Sequence, residues 1–366
     1  MKLAILSCGR SDYSIYLPLL KRLKKDSAFD IHVIAFGTHV SDFYGKTVSF
    51  FKDDDIKVKY EVESLILGDS SEAISTAMGL TAIKFSSIWA AEDYDLIIVL
   101  GDRYEMFAAV ASIVPFNIPV AHIGGGETTF GAIDEKFRHS ITCFSSLHFA
   151  STRSNAKRVS QIINSEEGVY NVGALGLDNL HDINLMSKAE FLHKWDIDLN
   201  NPTILTTYHP ETVNLSQNSN NTDQLLDAID NTDKQFVITM PNNDTMGTMI
   251  RNKLNSFAKE REGKIFLVEV LGNVGYYSCM KHCEFVLGNS SSGIVEAASF
   301  GKYVINVGNR QLGRESGSNV LHVQADAQKI SSLAHEIEGM PVLGTDNIYG
   351  NGTASNQIIQ VLKNYE

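Results

Sequence analysis

Leu96-Ile97-Ile98-Val99-Leu100 is an unbroken β-rich apolar run, and Gly101-Asp102-Arg103 follows it at once. A strand that is apolar at every residue has no face to give to water. It fits only a sheet covered on both sides, as parallel sheets are. Tyr104 to Val114 then carries the small and apolar spacing of a helix laid on such a sheet, and Pro115 and Pro119 mark the return. Val120 to Ile123 reads as the next strand and empties into Gly124-Gly125-Gly126-Glu127. Strand, glycine, charge and helix recur in this order through both halves of the chain. The pattern predicts an α/β protein of doubly wound parallel sheets, whose functional edge is the carboxyl end of its strands.

That edge receives four carboxylates from one stretch, Asp102, Glu127, Asp134 and Glu135, together with Arg103, His122, Arg138 and His139. Crowded carboxylates raise one another's pKa, so one can hold a proton while another accepts one. The arrangement suits proton transfer better than a solvated loop.

The first strand, Lys2 to Ser7, is too short an apolar run for a secretion signal. It leads into Gly9-Arg10-Ser11-Asp12-Tyr13-Ser14 and a helix from about Ile15, a turn whose backbone N–H groups can cradle an anion. Ile31 to Phe36 ends at Gly37-Thr38-His39, where His39 is expected in an exposed loop or against substrate. From Glu72 to Ala91, Ile74, Met78, Ile83, Ile88 and Trp89 are expected to line the apolar stripe of a long helix. Gly173-Ala174-Leu175-Gly176 reads as a hinge, after which the same grammar restarts. Pro202 to Thr207 delivers Tyr208-His209-Pro210-Glu211, and Phe285 to Leu287 delivers Gly288-Asn289-Ser290-Ser291-Ser292-Gly293 ahead of a helix from Ile294. This second turn is the strongest phosphate cradle in the chain. Its glycines let backbone approach an anion, and Glu296 lies one turn in, where ribose hydroxyls can be met. Tyr303 to Val307 reads as the last strong strand, followed by Arg310 and Arg314.

A length of 366 residues exceeds one ordinary core. The expected division is 1–172 and 173–352, with a final helix, 353–366, packing back on the first domain. The net charge of −12 excludes nucleic acid and anionic membrane as main partners, and no run is long enough to span a bilayer. Cys279 and Cys283 lack a second ligand pair at zinc spacing, so they read as core cysteines of a reducing, cytoplasmic compartment. No Gly-x-Gly-x-x-Gly fingerprint and no Walker A lysine is present. Carboxylates in the first half and an anion cradle in the second describe an enzyme acting on a sugar nucleotide.

The motifs GDRYE, HIGGGETTFGAIDEKFRH, YHPE, GNSSSGIVEAASFG and VGNRQLGRESG together resemble the UDP-N-acetylglucosamine 2-epimerase family, and within it the hydrolysing, sialic-acid-pathway branch. The resemblance runs from Arg10 to the turn at Gly350. It implies a GT-B-like pair of Rossmann-type domains with the active site in the cleft between them. It implies conversion of UDP-GlcNAc and water to N-acetylmannosamine and UDP, by anti elimination to 2-acetamidoglucal and hydration with inversion at C2. No metal or other cofactor is implied, and the partners are the UDP-sugar, UDP and further copies of the chain in a homodimer or homotetramer. Arg10, Ser14, Arg103, Asn242, Leu271, Ser290, Ser291, Glu296 and Arg310 match UDP- or substrate-binding positions. Asp102, Asp134 and His209 match catalytic ones.

One departure concerns the acid that many relatives carry two residues after the histidine at the position of His122. Here Gly124 stands there, and Glu127 is its nearest substitute. The expected roles give the C2 proton to Glu127 or Asp134, hydration to Asp102 and the leaving group to His209. Alternatives are the same reaction on UDP-2,4-diacetamido-2,4,6-trideoxyglucose, a GT-B glycosyltransferase and a UDP-sugar-binding regulator.

Overall fold

Leu3 and Ile5 belong to one apolar cluster, and Ala4 and Leu6 to another. Leu96, Ile98 and Leu100 join the first cluster, and Ile97 and Val99 join the second. Successive side chains of a strand point to opposite faces, so these runs must be covered on both sides. The computed structural model describes residues 1–68, 70–130, 133–211, 214–241 and 246–365, and in it both faces are covered by helices. The chain forms two compact units. The first comprises Met1–Glu127, Asp134–Asp182 and Tyr349–Glu366; the second comprises Thr128–Ile133 and Ile183–Ile348.

The first unit holds β1 (Lys2–Ser7), β2 (Asp30–Phe36), β3 (Val58–Val62), β4 (Leu96–Leu100), β5 (Val120–Ile123), β6 (Leu147–Ala150) and β7 (Val169–Asn171). Their order in the sheet is β3-β2-β1-β4-β5-β6-β7, and every pairing is parallel. The second unit holds β8 (Thr203–Thr207), β9 (Gln235–Thr239), β10 (Ile265–Val268), β11 (Val286–Gly288), β12 (Val304–Val307) and β13 (Val320–Val323). Their order is β10-β9-β8-β11-β12-β13, again wholly parallel. Each sheet therefore winds outward from one strand, then restarts on its other side. The reversal lies between β1 and β4 in one unit and between β8 and β11 in the other. These are the places where an open α/β sheet leaves a crevice for ligand. Among the described residues, no helix is long and apolar enough to cross a membrane.

The first unit runs ten residues past the expected boundary at Val172, to Asp182. Gly173 lies inside the first unit, where at φ +89° it is pressed to the Tyr349 carbonyl, which also accepts the Ala174 N–H at 2.7 Å. Beyond it, the fully buried Asp178 carboxylate accepts the N–H groups of Ala354 (2.9 Å) and Ser355 (2.7 Å). These are orphan donors at the start of the helix Ala354–Lys363, and the negative charge suits that helix end. Ala354, Ile358 and Leu362 complete the same apolar cluster as Leu3 and Ile5.

Two other expectations change. The helix Ser71–Ala91 buries Ala77, Thr81, Phe85, Ile88 and Trp89, whereas Ile83 is 69% exposed. Small residues let the backbone come close there, and the Thr81 hydroxyl is bonded to Ser64 Oγ at 2.8 Å. His39 is fully buried between Ser7 Oγ and Thr47 Oγ1, both at 2.9 Å. Burial lowers its pKa to about 4, so it is a neutral core histidine and meets no substrate. Finally, two elements that the sequence reading does not name follow the strand Val304–Val307. They are the edge strand β13 and the helix Ala327–Glu338, the latter capped by Asp326 and buried through Ile330, Ala334 and Ile337.

Candidate active site

At the reversal point of the first unit, β1 ends at Ser7 and the helix Arg10–Lys25 begins three residues later. Arg10 is exposed, and Ser14 lies one turn on with its hydroxyl bonded to the Arg10 carbonyl at 3.2 Å. Beneath them, the buried Asp12 carboxylate accepts the Cys8 N–H at 2.8 Å and its thiol at 3.1 Å, which fixes the turn from below. At the end of β4, Gly101 takes φ +76°, a left-handed conformation suited to glycine. Asp102 and Arg103 follow. Arg103 forks onto the buried Glu105 at 3.0 and 3.2 Å and keeps about two-fifths of its side chain exposed.

Asp102 is ion-paired with Arg138, whose guanidinium is almost fully buried. Arg138 also donates to the Glu127 carbonyl at 2.8 Å, so one arginine ties the end of β4 to the loop after β5. The Glu127 carboxylate accepts the Ser151 hydroxyl at 2.9 Å, and Ser151 Oγ accepts from Asn155 at 2.9 Å. Gly126 makes this possible. At φ +77° its missing Cβ would fall 2.2 Å from the Asn155 carbonyl. Asp134 opens the helix Asp134–Phe144 one turn before Arg138. Burial, then the Asp102 charge, push its pKa up to about 6. The first unit thus brings together Asp102, Glu127 and Asp134 around Arg138. It holds one acid as an ion pair and leaves another poised near neutrality.

At the reversal point of the second unit, β8 ends before Tyr208-His209 and β11 before Asn289-Ser290. Gly288, at φ +132°, lets the two strand ends close: a Cβ would lie 2.0 Å from the Thr207 carbonyl. Asn289 is fully buried. Its carbonyl accepts from Arg310 (3.3 Å) and Gln311 (2.9 Å). His209 is nearly buried, and burial with the Arg310 charge lowers its pKa to about 3, so its imidazole is neutral. Ser290 caps the short helix Ser291–Val295 by accepting the Ser292 N–H. Its hydroxyl continues a chain through Ser292 (3.0 Å) to Tyr276 (2.6 Å). Ser291 is exposed. Glu296 is held up to about 7 by burial, against the pull of the Arg314 charge, and its Oε2 has no hydrogen-bond partner among the described residues. The Leu271 side chain is buried, which leaves its backbone as the polar group it can offer. Asn242 lies outside the described residues.

The sequence profile of the UDP-N-acetylglucosamine 2-epimerase family matches residues 21–363. The chain belongs to this family. The UDP-N,N'-diacetylbacillosamine 2-epimerase (hydrolyzing) of Legionella pneumophila is 31% identical over 362 residues, covering 99% of this chain and 95% of that protein. The polysialic acid biosynthesis protein P7 of Escherichia coli is 32% identical over 332 residues, covering 90% and 84%. Among solved structures, the UDP-GlcNAc 2-epimerase of Neisseria meningitidis bound to UDP-GlcNAc superposes with a TM-score of 0.84 at 20% identity, covering both chains fully. That likeness establishes the fold, a GT-B-like pair of Rossmann-type units.

For this epimerase-family chain, three side chains inside the quoted motifs carry roles that the motifs alone do not assign. Arg138 is the counter-ion of Asp102, and its place one helical turn after Asp134 is the signal that would find it. Asn289 sits under two candidate residues, His209 and Arg310, in a position that composition does not distinguish from its serine neighbours. Glu211 accepts the Asn309 N–H at 2.7 Å, pinning the loop that carries Arg310.

Proposed function

We propose that this chain is a hydrolysing 2-epimerase that converts UDP-GlcNAc and water to N-acetylmannosamine and UDP, with no cofactor. The supporting observation is the unequal pair beside Arg138: Asp102 ion-paired, Asp134 held up to about 6. A base must be ionised at working pH yet basic enough to take a weakly acidic C2 proton. Asp134 meets both needs. Its carboxylate takes the C2 proton while the C1–O bond breaks and UDP departs, leaving 2-acetamidoglucal. Water then adds its oxygen to C1 and gives a proton to Asp102, while C2 takes a proton drawn from solvent on the opposite face; Asp134 and Asp102 return to solvent the protons they took. Arg310, the Ser290-Ser291 turn and the N–H of the neutral His209 ring meet the charge on the leaving diphosphate. Arg10, Ser14, Arg103, Asn242 and Leu271 contribute to binding, and Glu296 receives ribose hydroxyls. Glu127 orders the acidic loop.

A second reading keeps the mechanism and changes the sugar to the 2,4-diacetamido-2,4,6-trideoxy one. The activity for which the Legionella relative is named favours it. The test is incubation with UDP-GlcNAc in D₂O, followed by proton NMR. Free UDP with N-acetylmannosamine deuterated at C2 is the expected result. UDP-ManNAc instead would move the chain to the non-hydrolysing branch. No reaction, followed by turnover of the diacetamido sugar, supports the second reading. Inertness towards both sugars sinks the epimerase assignment in favour of a transferase or a sensor.

A further inference from the structure

The ring of His122 lies on β5, fully buried, with both nitrogens occupied. Nε2 is 2.8 Å from the carbonyl of Gly101, the residue immediately before Asp102. A carbonyl only accepts, so Nε2 carries the proton and Nδ1 is the acceptor. Nδ1 is 3.1 Å from the Thr142 hydroxyl. Thr142 stands one turn after Arg138 on the helix that begins with Asp134, and its single hydroxyl proton is shared between Nδ1 and the Arg138 carbonyl, 3.0 Å away. Arg138 returns to the Asp102 carboxylate. The circuit is closed: Asp102 is held through its own backbone at one end and its carboxylate at the other, and the His122 ring joins the two.

Gly125 shows how closely the circuit is built. A Cβ there would lie 3.1 Å from both His122 Nδ1 and Thr142 Oγ1, beside their bond and tight against each end of it. The ring offers nothing to substrate, because no part of it reaches solvent.

We infer that His122 is a positioning residue, which sets Asp102 against the helix carrying Asp134 and Arg138 through its paired bonds to Gly101 and Thr142. The inference rests on the epimerase reading, since it assigns His122 to the geometry of those acids. Displacing a reacting group by about 1 Å can cost on the order of a hundredfold in rate, while leaving binding elsewhere intact.

The test uses Thr142→Val, which keeps the shape of the side chain and deletes the hydroxyl, beside Thr142→Ser, which restores it. Gly125→Ala is the second probe, reaching the same bond from the loop. Kinetics on whichever UDP-sugar the wild type turns over, UDP affinity and Tm are measured together. The expected result for Thr142→Val and Gly125→Ala is a kcat loss of about tenfold or more, with KM and UDP affinity within about twofold and Tm lowered by no more than a few degrees. Thr142→Ser recovers kcat. Wild-type kcat in both probes overturns the inference and leaves the epimerase reading standing. A parallel fall in kcat, UDP affinity and Tm marks a merely structural role and also overturns it. A wild type that turns over no UDP-sugar removes the epimerase reading and this one with it.

Discussion

Asn289 closes two hydrogen bonds on the backbone of a single residue, His209: Oδ1 accepts its N–H at 2.7 Å and Nδ2 donates to its carbonyl at 2.8 Å. The clamp lies at the reversal point of the second sheet, with both residues buried. An asparagine is the residue whose side chain offers one acceptor and one donor at this spacing. Replacement by Ala leaves a buried N–H and a buried C=O without partners. Asn289→Ala is expected to lower the unfolding free energy by about 2–4 kcal/mol. Asn289→Asp is expected to cost at least as much, because a second oxygen then faces the His209 carbonyl. Denaturant titration checks both, and a midpoint equal to wild type would refute the clamp's importance.

Asp134 predicts opposite effects on stability and turnover. Its folded pKa of about 6 lies above its ordinary value of 3.8, so the native state holds this proton longer than the unfolded chain does. Stability therefore falls as pH rises from about 4 to about 6 and stays lowered above that range. Asp134→Asn removes the cost. It is expected to stabilise the protein by about 1–3 kcal/mol at pH 8 and hardly at all at pH 4. Turnover should be lost in the same variant, and wild-type kcat/KM should rise with pH through about 6. Unfolding curves at the two pH values, with a pH–rate profile, decide it. Full turnover by the variant would remove Asp134 from the mechanism.

Four buried histidines make the fold acid-labile. Burial lowers His39 and His148 to about 4 and His122 and His209 to about 3. His148 has no side-chain partner for either nitrogen among the described residues. Between these values and 6.5 the unfolded chain binds protons that the native state refuses, so stability is lost as pH falls through that window. Asp134 and Glu296, with raised values of about 6 and 7, work in the other direction. A net slope of about 2–3 kcal/mol per pH unit is expected near pH 5. His148→Leu should flatten it by about one proton's worth, and an unchanged slope would disprove the assignment.

Two glycines bracket what a methyl group does here. Gly79 lies in the middle of the helix Ser71–Ala91, and a Cβ added there would have nothing within 4 Å, so Gly79→Ala should stabilise by about 0.5–1 kcal/mol. Gly126→Ala meets both a positive φ and the Asn155 carbonyl at 2.2 Å. It should cost several kcal/mol, roughly 3 or more, and disturb Glu127 next to it. Thermal melts of the pair give the comparison.

The parts of this molecule legible in its sequence are those where one physical rule acts alone. Leu96–Leu100 could only be a strand buried on both faces, and it is. The glycines after β4 and β5 and at the end of β11 mark the strand ends because glycine takes those positive-φ backbones at least cost. What stays hidden depends on two rules at once. The buried face of Ser71–Ala91 is chosen by closeness of approach at Ala77 and Thr81 as much as by apolarity, which is why apolarity alone misplaces Ile83. β13 is a four-residue edge strand with one neighbour, and its half-buried pattern carries little signal. At the candidate site, the acids are visible as types, but the arrangement that the arginine and histidine impose on them is not. Their roles come from hydrogen bonds spanning 36 residues for Arg138 to Asp102, and 20 and 21 for His122.

The Asp178 cap on the last helix has a consequence for how the protein is made. The bond from Ala354 to Asp178 spans 176 residues, and almost the whole second unit is encoded between them. Translation is vectorial, so the seven strands of the first sheet emerge early and then wait. Until Ala354, Ile358 and Leu362 leave the ribosome, the slot they fill beside Leu3 and Ile5 stays open to water and to other chains. The inserted unit can finish folding first, and the unit whose strands are made before it is sealed after it.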